Sequence, residues 1–243
     1  MSGHSKWATT HRKKEATDAK KGAVFTKLAN LISLAAKGGG DLENNFQLRL
    51  AVEKARAANM PKNNIERAIK RGGHDLTGAN ALEEVAYEII GPAGSVFIAE
   101  AITDNKNRLV ANLKAVLNKN NGQLGSPNSV LWLFNKKGMI TINLEPPNDK
   151  ISDELELKII DAGAEDIEKN EGEWEIYTQA ENRQKVEQKL KPLGLNIKES
   201  GLTYMAKNDL KINNPEAREK IEKLYLALDE LDDINNVYTN AHW

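Results

Sequence analysis

The chain has 243 residues, a length that suits one large domain or two to three small ones. It contains no cysteine, which excludes disulfides, thiolate metal sites and cysteine nucleophiles, and no apolar run reaches the roughly 18 residues of a membrane-spanning helix. The net charge of −1 conceals an asymmetry: residues 1–74 hold 15 Lys and Arg against 6 Asp and Glu, whereas residues 145–243 hold 13 against 23. The basic N-terminal third predicts a polyanionic partner. The N-terminus is not followed by the apolar stretch of a secretory signal, and the lack of cysteine is compatible with a reducing, cytoplasmic setting.

The first 22 residues are basic and contain few apolar side chains. Such a segment buries little surface by itself and is typical of an arm that orders on contact with a polyanion. Trp7 stands almost alone in it and has two possible roles: stacking on a base or ribose, or packing as a hydrophobic staple against the helices that follow.

From Val24 onward the apolar residues follow helical spacing and predict a three-helix unit over residues 23–73. The three glycines from Gly38 onward are expected to end the first helix, and Pro61 suits the first position of the third. Gly72 and its neighbour are expected to end that third helix. A polar linker over residues 74–81 follows.

The period then changes to that of strands. Runs at Glu84–Ile90 and Val96–Thr103 predict a β-hairpin. Asp104 is expected to cap a helix over residues 106–119, and the run Val130–Phe134 predicts a third strand.

Residues 136–202 contain a complete set of alternating elements. Their order is β-α-β-β-α-β, which is typical of a ferredoxin-like sandwich. The expected strands are residues 139–144, 164–168, 173–178 and 195–199, and the expected helices are residues 153–162 and 181–192.

The remaining tail predicts a strand over Thr203–Ile212, a helix that opens at Asn214 and Pro215, and a short strand over Asn236–Thr239. Neither this tail nor the hairpin and helix of residues 84–119 completes a sheet alone. We therefore expect them to form one domain into which residues 136–202 are inserted.

The expected fold class is α+β with three domains. Residues 1–80 would form the basic arm and a basic three-helix domain. Residues 81–135 with 203–243 would form a discontinuous α/β domain, and residues 136–202 an inserted one, both being ferredoxin-like sandwiches.

No residue pattern in the chain predicts catalysis, a cofactor or a metal. The four histidines lack zinc-site spacing, and the glycine triplet lacks the Lys-Ser/Thr of a phosphate loop. Glu165, Asp166 and Glu168 offer magnesium ligands, but they alternate about a short strand and suit a solvated face better. The acidic run from Asp229 to Asp233 opposes its helix dipole, and a basic partner or the basic N-terminal part would explain it.

The candidate nucleic-acid-binding residues lie in the N-terminal third. The arm supplies cations for phosphates and a ring for stacking, and the helices add further charge, although helical cations also serve as a solubilising surface. The predicted residues are Lys6, Trp7, His11, Arg12, Lys13, Lys14, Lys20, Lys21, Lys27, Arg49, Arg67, Lys70 and Arg71.

Several segments of the chain resemble the YebC/PmpR family, which also includes a mitochondrial translational activator of a cytochrome oxidase subunit. The opening Gly3-His4-Ser5-Lys6-Trp7 matches the family's start, and the segment from Ala57 to Lys70 is close to diagnostic. Thr103-Asp104-Asn105-Lys106-Asn107-Arg108 matches a further family motif, although Gln47 and Thr239 replace the family's usual Arg and His.

The resemblance implies three domains and a cytoplasmic bacterial protein that is not an enzyme. It leaves two functions open: a DNA-binding transcriptional regulator of promoters, or a ribosome-associated factor that binds ribosomal RNA and relieves stalling at stretches such as polyproline. An acidic C-terminal region suits ribosomal proteins as additional partners. An enzyme and a purely protein-binding module remain as alternatives.

Overall fold

The fold is described from a computed structural model, which covers residues 18–73, 81–143, 153–170 and 172–242. Two compact units are present: residues 135–205 form the smaller unit, and the described residues on either side of them form the larger. None of the described helices has the length and apolar character needed to cross a membrane.

The larger unit begins with three helices: α1 (Asp18–Ala36), α2 (Phe46–Ala57) and α3 (Lys62–Gly73). Their apolar faces meet in one buried cluster that includes Leu28, Ile32 and Leu48. Asn45 begins α2 as its N-cap, since its side-chain oxygen accepts from the N–H of Leu48 at 3.0 Å. The predicted three-helix unit is therefore confirmed.

Gly72 has a packing role besides its place at the end of the third helix. Helix α3 continues through it to Gly73, and Gly72 lies where α3 approaches α1 most closely. A Cβ at this position would stand 2.1 Å from the carbonyl oxygen of Ser33 and 2.7 Å from the Cβ of Ala36. The residue is a glycine because no side chain fits between the two helices.

The α/β part of the larger unit is a four-stranded antiparallel sheet with two helices packed against it. The sheet order is β3-β1-β2-β9, and the core includes Phe97, Leu113 and Leu224. The elements are β1 (Glu83–Ile90), β2 (Val96–Thr103), α4 (Lys106–Lys119), β3 (Gln123–Leu124), β8 (Leu210–Lys211), α7 (Pro215–Asp229), β9 (Ile234–Thr239) and β10 (Ala241–His242).

Strand β9, near the end of the chain, completes this first sheet, whereas β10 pairs with β8 in a separate two-stranded sheet. Strand β9 pairs antiparallel with β2, so that Phe97 lies opposite Thr239. The C-terminal tail thus pairs with the hairpin of residues 83–103. The order of elements is β-β-α-β-α-β, which makes an α/β sandwich whose connectivity differs from that of the smaller unit.

The smaller unit has the β-α-β-β-α-β order and the sheet order β5-β6-β4-β7 of a ferredoxin-like sandwich. Its core includes Ile140, Ile159 and Ile176. The elements are β4 (Phe134–Asn143), α5 (Asp153–Ala162), β5 (Asp166–Asn170), β6 (Glu173–Gln179), α6 (Arg183–Leu190) and β7 (Asn196–Ala206). The domain bounds stay a prediction, in particular the division at residue 80, because residues 74–80 lie outside the described residues.

Three local expectations are wrong. Residues 131–133 form a 3₁₀ turn instead of a strand, and the strand begins at Phe134. The N-cap of α4 is Asn105, not Asp104, since the Asn105 side chain accepts from the N–H of Arg108 at 3.0 Å. The strand expected over Thr203–Ile212 is divided, because its first part continues β7 and its last part is the separate strand β8.

Candidate nucleic-acid interface

The predicted basic arm lies outside the described residues. This applies to Lys6, Trp7, His11, Arg12, Lys13 and Lys14. The backbone of Lys20 and Lys21 belongs to the first turn of α1, but their side chains are not among the described ones. The described part of the candidate interface therefore consists of cations on the three helices.

Helix α3 turns a basic face to solvent. Its buried side holds Ile65 and Ala68, whereas Lys62, Arg67 and Lys70 are exposed. Lys62 lies 3.7 Å from Glu66 and is 87% exposed, so this pair neutralises little of its charge in water. Neither Arg67 nor Lys70 forms an ion pair with another described residue, and both are free to meet an anion.

A short connection sets the position of α3 relative to α2. Asn59 has a left-handed backbone with φ of 60°, a conformation that asparagine tolerates better than most residues. The N–H of Met60 returns to the carbonyl of Ala55 at 2.9 Å, and Pro61 accepts from Asn64 at 2.9 Å. The near-diagnostic family segment thus fixes the start of the basic helix.

Two of the predicted arginines, Arg71 and Arg49, form hydrogen bonds within the helical part of the chain. The Arg71 guanidinium donates to Oδ1 of Asn30 at 2.7 Å and to Oγ of Ser33 at 3.0 Å, which ties α3 to α1. Partial burial lowers the pKa of Arg71 below its usual value, and Asp104 opposes that shift. Arg49 donates to the carbonyls of Leu42 and Glu43 and so closes the loop before α2. Sequence reasoning missed these braces because an Asn or Ser inside a helix carries no distinguishing signal.

Lys27 connects the helical part to the acidic end of α7. Its Nζ lies 3.5 Å from Oδ1 of Asp229 and also contacts the Asp229 carbonyl. Lys37 donates to the carbonyl of Leu82 at 2.6 Å, and Asn30 reaches the carbonyl of Ile102 at 3.5 Å. Among the described residues, the apolar cluster of the helices and that of the sheet share no member. Polar contacts therefore carry much of this junction.

The acidic run after α7 is partly neutralised inside the chain. The buried carboxylate of Asp233 accepts from Arg108 at 3.0 and 3.2 Å, and the same guanidinium lies 3.0 Å from Asp104. Glu230 and Asp232 remain exposed. These groups line a polar cavity of about 500 Å³ between the helices and the sheet.

The carboxylates considered as magnesium ligands do not converge. Glu165 pairs with Lys137 at 2.5 Å, and Glu168 lies opposite Glu175 in the β5–β6 ladder. Burial, and then the charges of Glu175 and Asp166, raise the pKa of Glu168 to about 7. In the parts of the chain that the structure describes, no group of three acidic or histidine side chains is arranged to hold a metal.

Comparison with known proteins shows the family to which this chain belongs. Residues 5–75 match the N-terminal domain of the TACO1/YebC proteins, and residues 82–241 match their second and third domains. The chain belongs to the TACO1/YebC family. The resemblance predicted from the sequence motifs is thereby confirmed.

The relatives in the TACO1/YebC family extend over nearly the whole chain. A protein of Caldanaerobacter subterraneus is 48% identical over 99% of this chain and 98% of its own length, and one of Thermotoga petrophila is 46% identical over 99% and 93%. Both are named "Probable transcriptional regulatory protein". The crystal structure of a conserved hypothetical protein of Aquifex aeolicus is 40% identical, covers 95% of this chain and 93% of its own, and superposes with a TM-score of 0.80.

Proposed function

We propose that this chain is a non-enzymatic regulator of gene expression, located in the cytoplasm, that binds nucleic acid through its N-terminal helical domain and the preceding basic arm. The exposed basic face of α3 carries the proposal, because Arg67 and Lys70 meet no carboxylate among the described residues. The names of the relatives in the family support a regulatory role.

The physical basis of binding is the release of counterions from phosphates. Each phosphate that a Lys or Arg neutralises contributes to affinity and to its salt dependence. The arm and α3 together offer such cations on one N-terminal domain, whereas Lys27, Arg49 and Arg71 already have partners within the chain. We therefore place the phosphate contacts on the arm and on Lys62, Arg67 and Lys70.

The test is the binding of the full chain to a labelled duplex DNA and to a labelled ribosomal RNA fragment, at several salt concentrations. The double variant Arg67→Glu with Lys70→Glu should weaken binding about tenfold or more and flatten the salt dependence. A control with the same change of net charge reverses Lys119 and Lys223, two exposed lysines of the α/β part. If both double variants weaken binding equally, net charge is responsible and the assignment to α3 is wrong.

The preferred target distinguishes two forms of the proposal. Stronger binding to promoter-type duplex DNA supports a transcriptional regulator, as the relatives' names suggest. The exposed Glu230 and Asp232 instead favour an additional contact with basic ribosomal proteins, and hence a ribosome-associated translation factor that binds ribosomal RNA.

Sedimentation of a cell lysate in sucrose gradients separates these two forms. Salt-sensitive comigration with ribosomes supports the translation factor, and its loss in the Arg67→Glu, Lys70→Glu variant attributes the contact to α3. Sedimentation only at the top of the gradient, together with specific duplex binding, supports the transcriptional regulator.

A further inference from the structure

Trp132 is displayed on the surface of the larger unit. Its side chain is 64% exposed, the highest value among the large hydrophobic side chains that the structure describes. The residues around it are anchored: Val130 and Phe134 are 2% and 5% exposed. An aromatic ring that stands out between two buried neighbours is unusual for a solvent-facing turn.

The carboxylate of Glu88, on strand β1, holds the segment that contains Trp132 through backbone hydrogen bonds. Glu88 of β1 accepts the N–H groups of Asn128, Val130 and Leu131 at 2.5, 2.7 and 2.8 Å. Partial burial alone would raise the pKa of Glu88, but these three backbone hydrogen bonds outweigh it and lower the pKa. The carboxylate is thus ionised at neutral pH and holds the turn in one conformation.

The orientation of the ring is also fixed. The Nε1–H of Trp132 donates to the carbonyl of Ser129 at 3.0 Å. Because the polar edge of the indole already has its partner, what remains for another molecule is the apolar face of the ring. A fixed, open aromatic face is the geometry on which nucleobases stack.

The backbone of a lysine adjoins this turn. The N–H of Lys207 donates to the carbonyl of Leu133 at 2.8 Å, which places exposed Lys207 next to the turn. The neighbouring Asn128 and Asn208 are exposed and polar. Leu131 and Leu133, which flank Trp132 in the chain, are only partly exposed. An exposed ring with a lysine close to its turn suits a base together with its phosphate.

We infer that Trp132 is a stacking platform for an unpaired nucleobase, with Lys207 positioned for the adjoining phosphate. This inference rests on the proposed nucleic-acid binding and adds a second contact outside the helical domain, one that selects single-stranded segments. Duplex bases are stacked on one another and cannot occupy such a platform without leaving the helix.

The test compares the full-length Trp132→Ala and Trp132→Phe variants for binding to a labelled single-stranded RNA and to the corresponding duplex. Stacking of one base predicts a loss of about 5- to 150-fold for the alanine variant on the single strand. Duplex affinity should stay unchanged, and the phenylalanine variant should recover most of the loss. Leu226→Ala removes another exposed apolar side chain, on α7, and serves as the matched control.

The outcomes separate this inference from the proposed function. If the α3 double variant loses binding while Trp132→Ala binds the single strand like the wild type, the regulator proposal holds and the platform is wrong. An equal loss on single strand and duplex also overturns the platform. If Trp132→Ala changes only comigration with a protein partner, the ring is a protein anchor instead. If the wild type binds no nucleic acid, both proposals fail.

Discussion

Replacing Gly72 by alanine tests how closely α3 and α1 approach each other. An alanine Cβ would lie 2.1 Å from the Ser33 carbonyl oxygen, whereas an ordinary contact needs about 3.4 Å. The helices must therefore separate by more than 1 Å, or α3 must rotate and disturb the burial of Ile65 and Ala68. Gly73, the next residue, has nothing within 4 Å of its added Cβ and provides a matched control.

The expected energies have opposite signs at the two positions. Overpacking of this kind costs about 1–3 kcal/mol, and contact with a rigid backbone oxygen places Gly72 at the upper end. Alanine regains about 1 kcal/mol of helix propensity at either position. The net expectation is a loss of about 2 kcal/mol for Gly72→Ala, which is roughly a 30-fold change in the opening equilibrium, and a small gain for Gly73→Ala.

The appropriate assay is amide hydrogen exchange of the full chain, read on peptides from α1 and α3. This measurement reports local opening even if the two units unfold separately. Faster exchange in Gly72→Ala, with unchanged or slower exchange in Gly73→Ala, is the expected result. Equal and unchanged protection in both variants would mean that Gly72 only ends the helix, and the close approach would be refuted.

Three further predictions concern charged groups. Because burial raises the pKa of Glu168 from 4.5 to about 7, its unfavourable ionisation should lower the stability of the smaller unit as pH rises across that interval, and thermal unfolding of Glu168→Gln at pH 5 and pH 8 should lack this loss. Glu88 has a lowered pKa, so the Glu88→Gln variant should be less stable than the wild type at pH 7. Urea unfolding measured at decreasing pH should show this difference in stability disappear, because acid protonates Glu88 in the wild type. Arg108→Met leaves the buried Asp233 carboxylate without its guanidinium and should cost about 1–3 kcal/mol in the same assay, whereas Lys114→Met, an exposed change on the same helix, should cost little.

Periodicity predicted most elements because the apolar residues face one core in each part. The helical spacing of Leu28 and Ile32 matches their burial in α1, and the apolar run in Val96–Thr103 matches the almost fully buried β2. The turn at residues 131–133 could not be predicted in this way. Its apolar residues suit a strand, but Glu88, some forty positions earlier, accepts the N–H groups of Val130 and Leu131.

The candidate interface was also predicted only in part, because composition shows where cations are abundant but not which of them have tertiary partners. The excess of cations in the N-terminal third is visible in the composition. Which of them face solvent depends on tertiary partners, since Lys27 meets Asp229 from the far end of the chain while Arg67 meets no described carboxylate. A sequence pattern can therefore indicate a basic domain but cannot select its binding residues.

The insertion of the smaller unit has a consequence for the order of folding. Its 71 residues, Asn135 to Met205, leave and re-enter the larger unit at neighbouring points, since the carbonyl of Leu133 and the N–H of Lys207 are 2.8 Å apart. The entropic free-energy cost of closing an unstructured loop of this length exceeds that of closing a turn of a few residues by about 3 kcal/mol. If the smaller unit folds first, most of that cost is removed. The two segments of the larger unit are then held close together, and β9 can pair with β2.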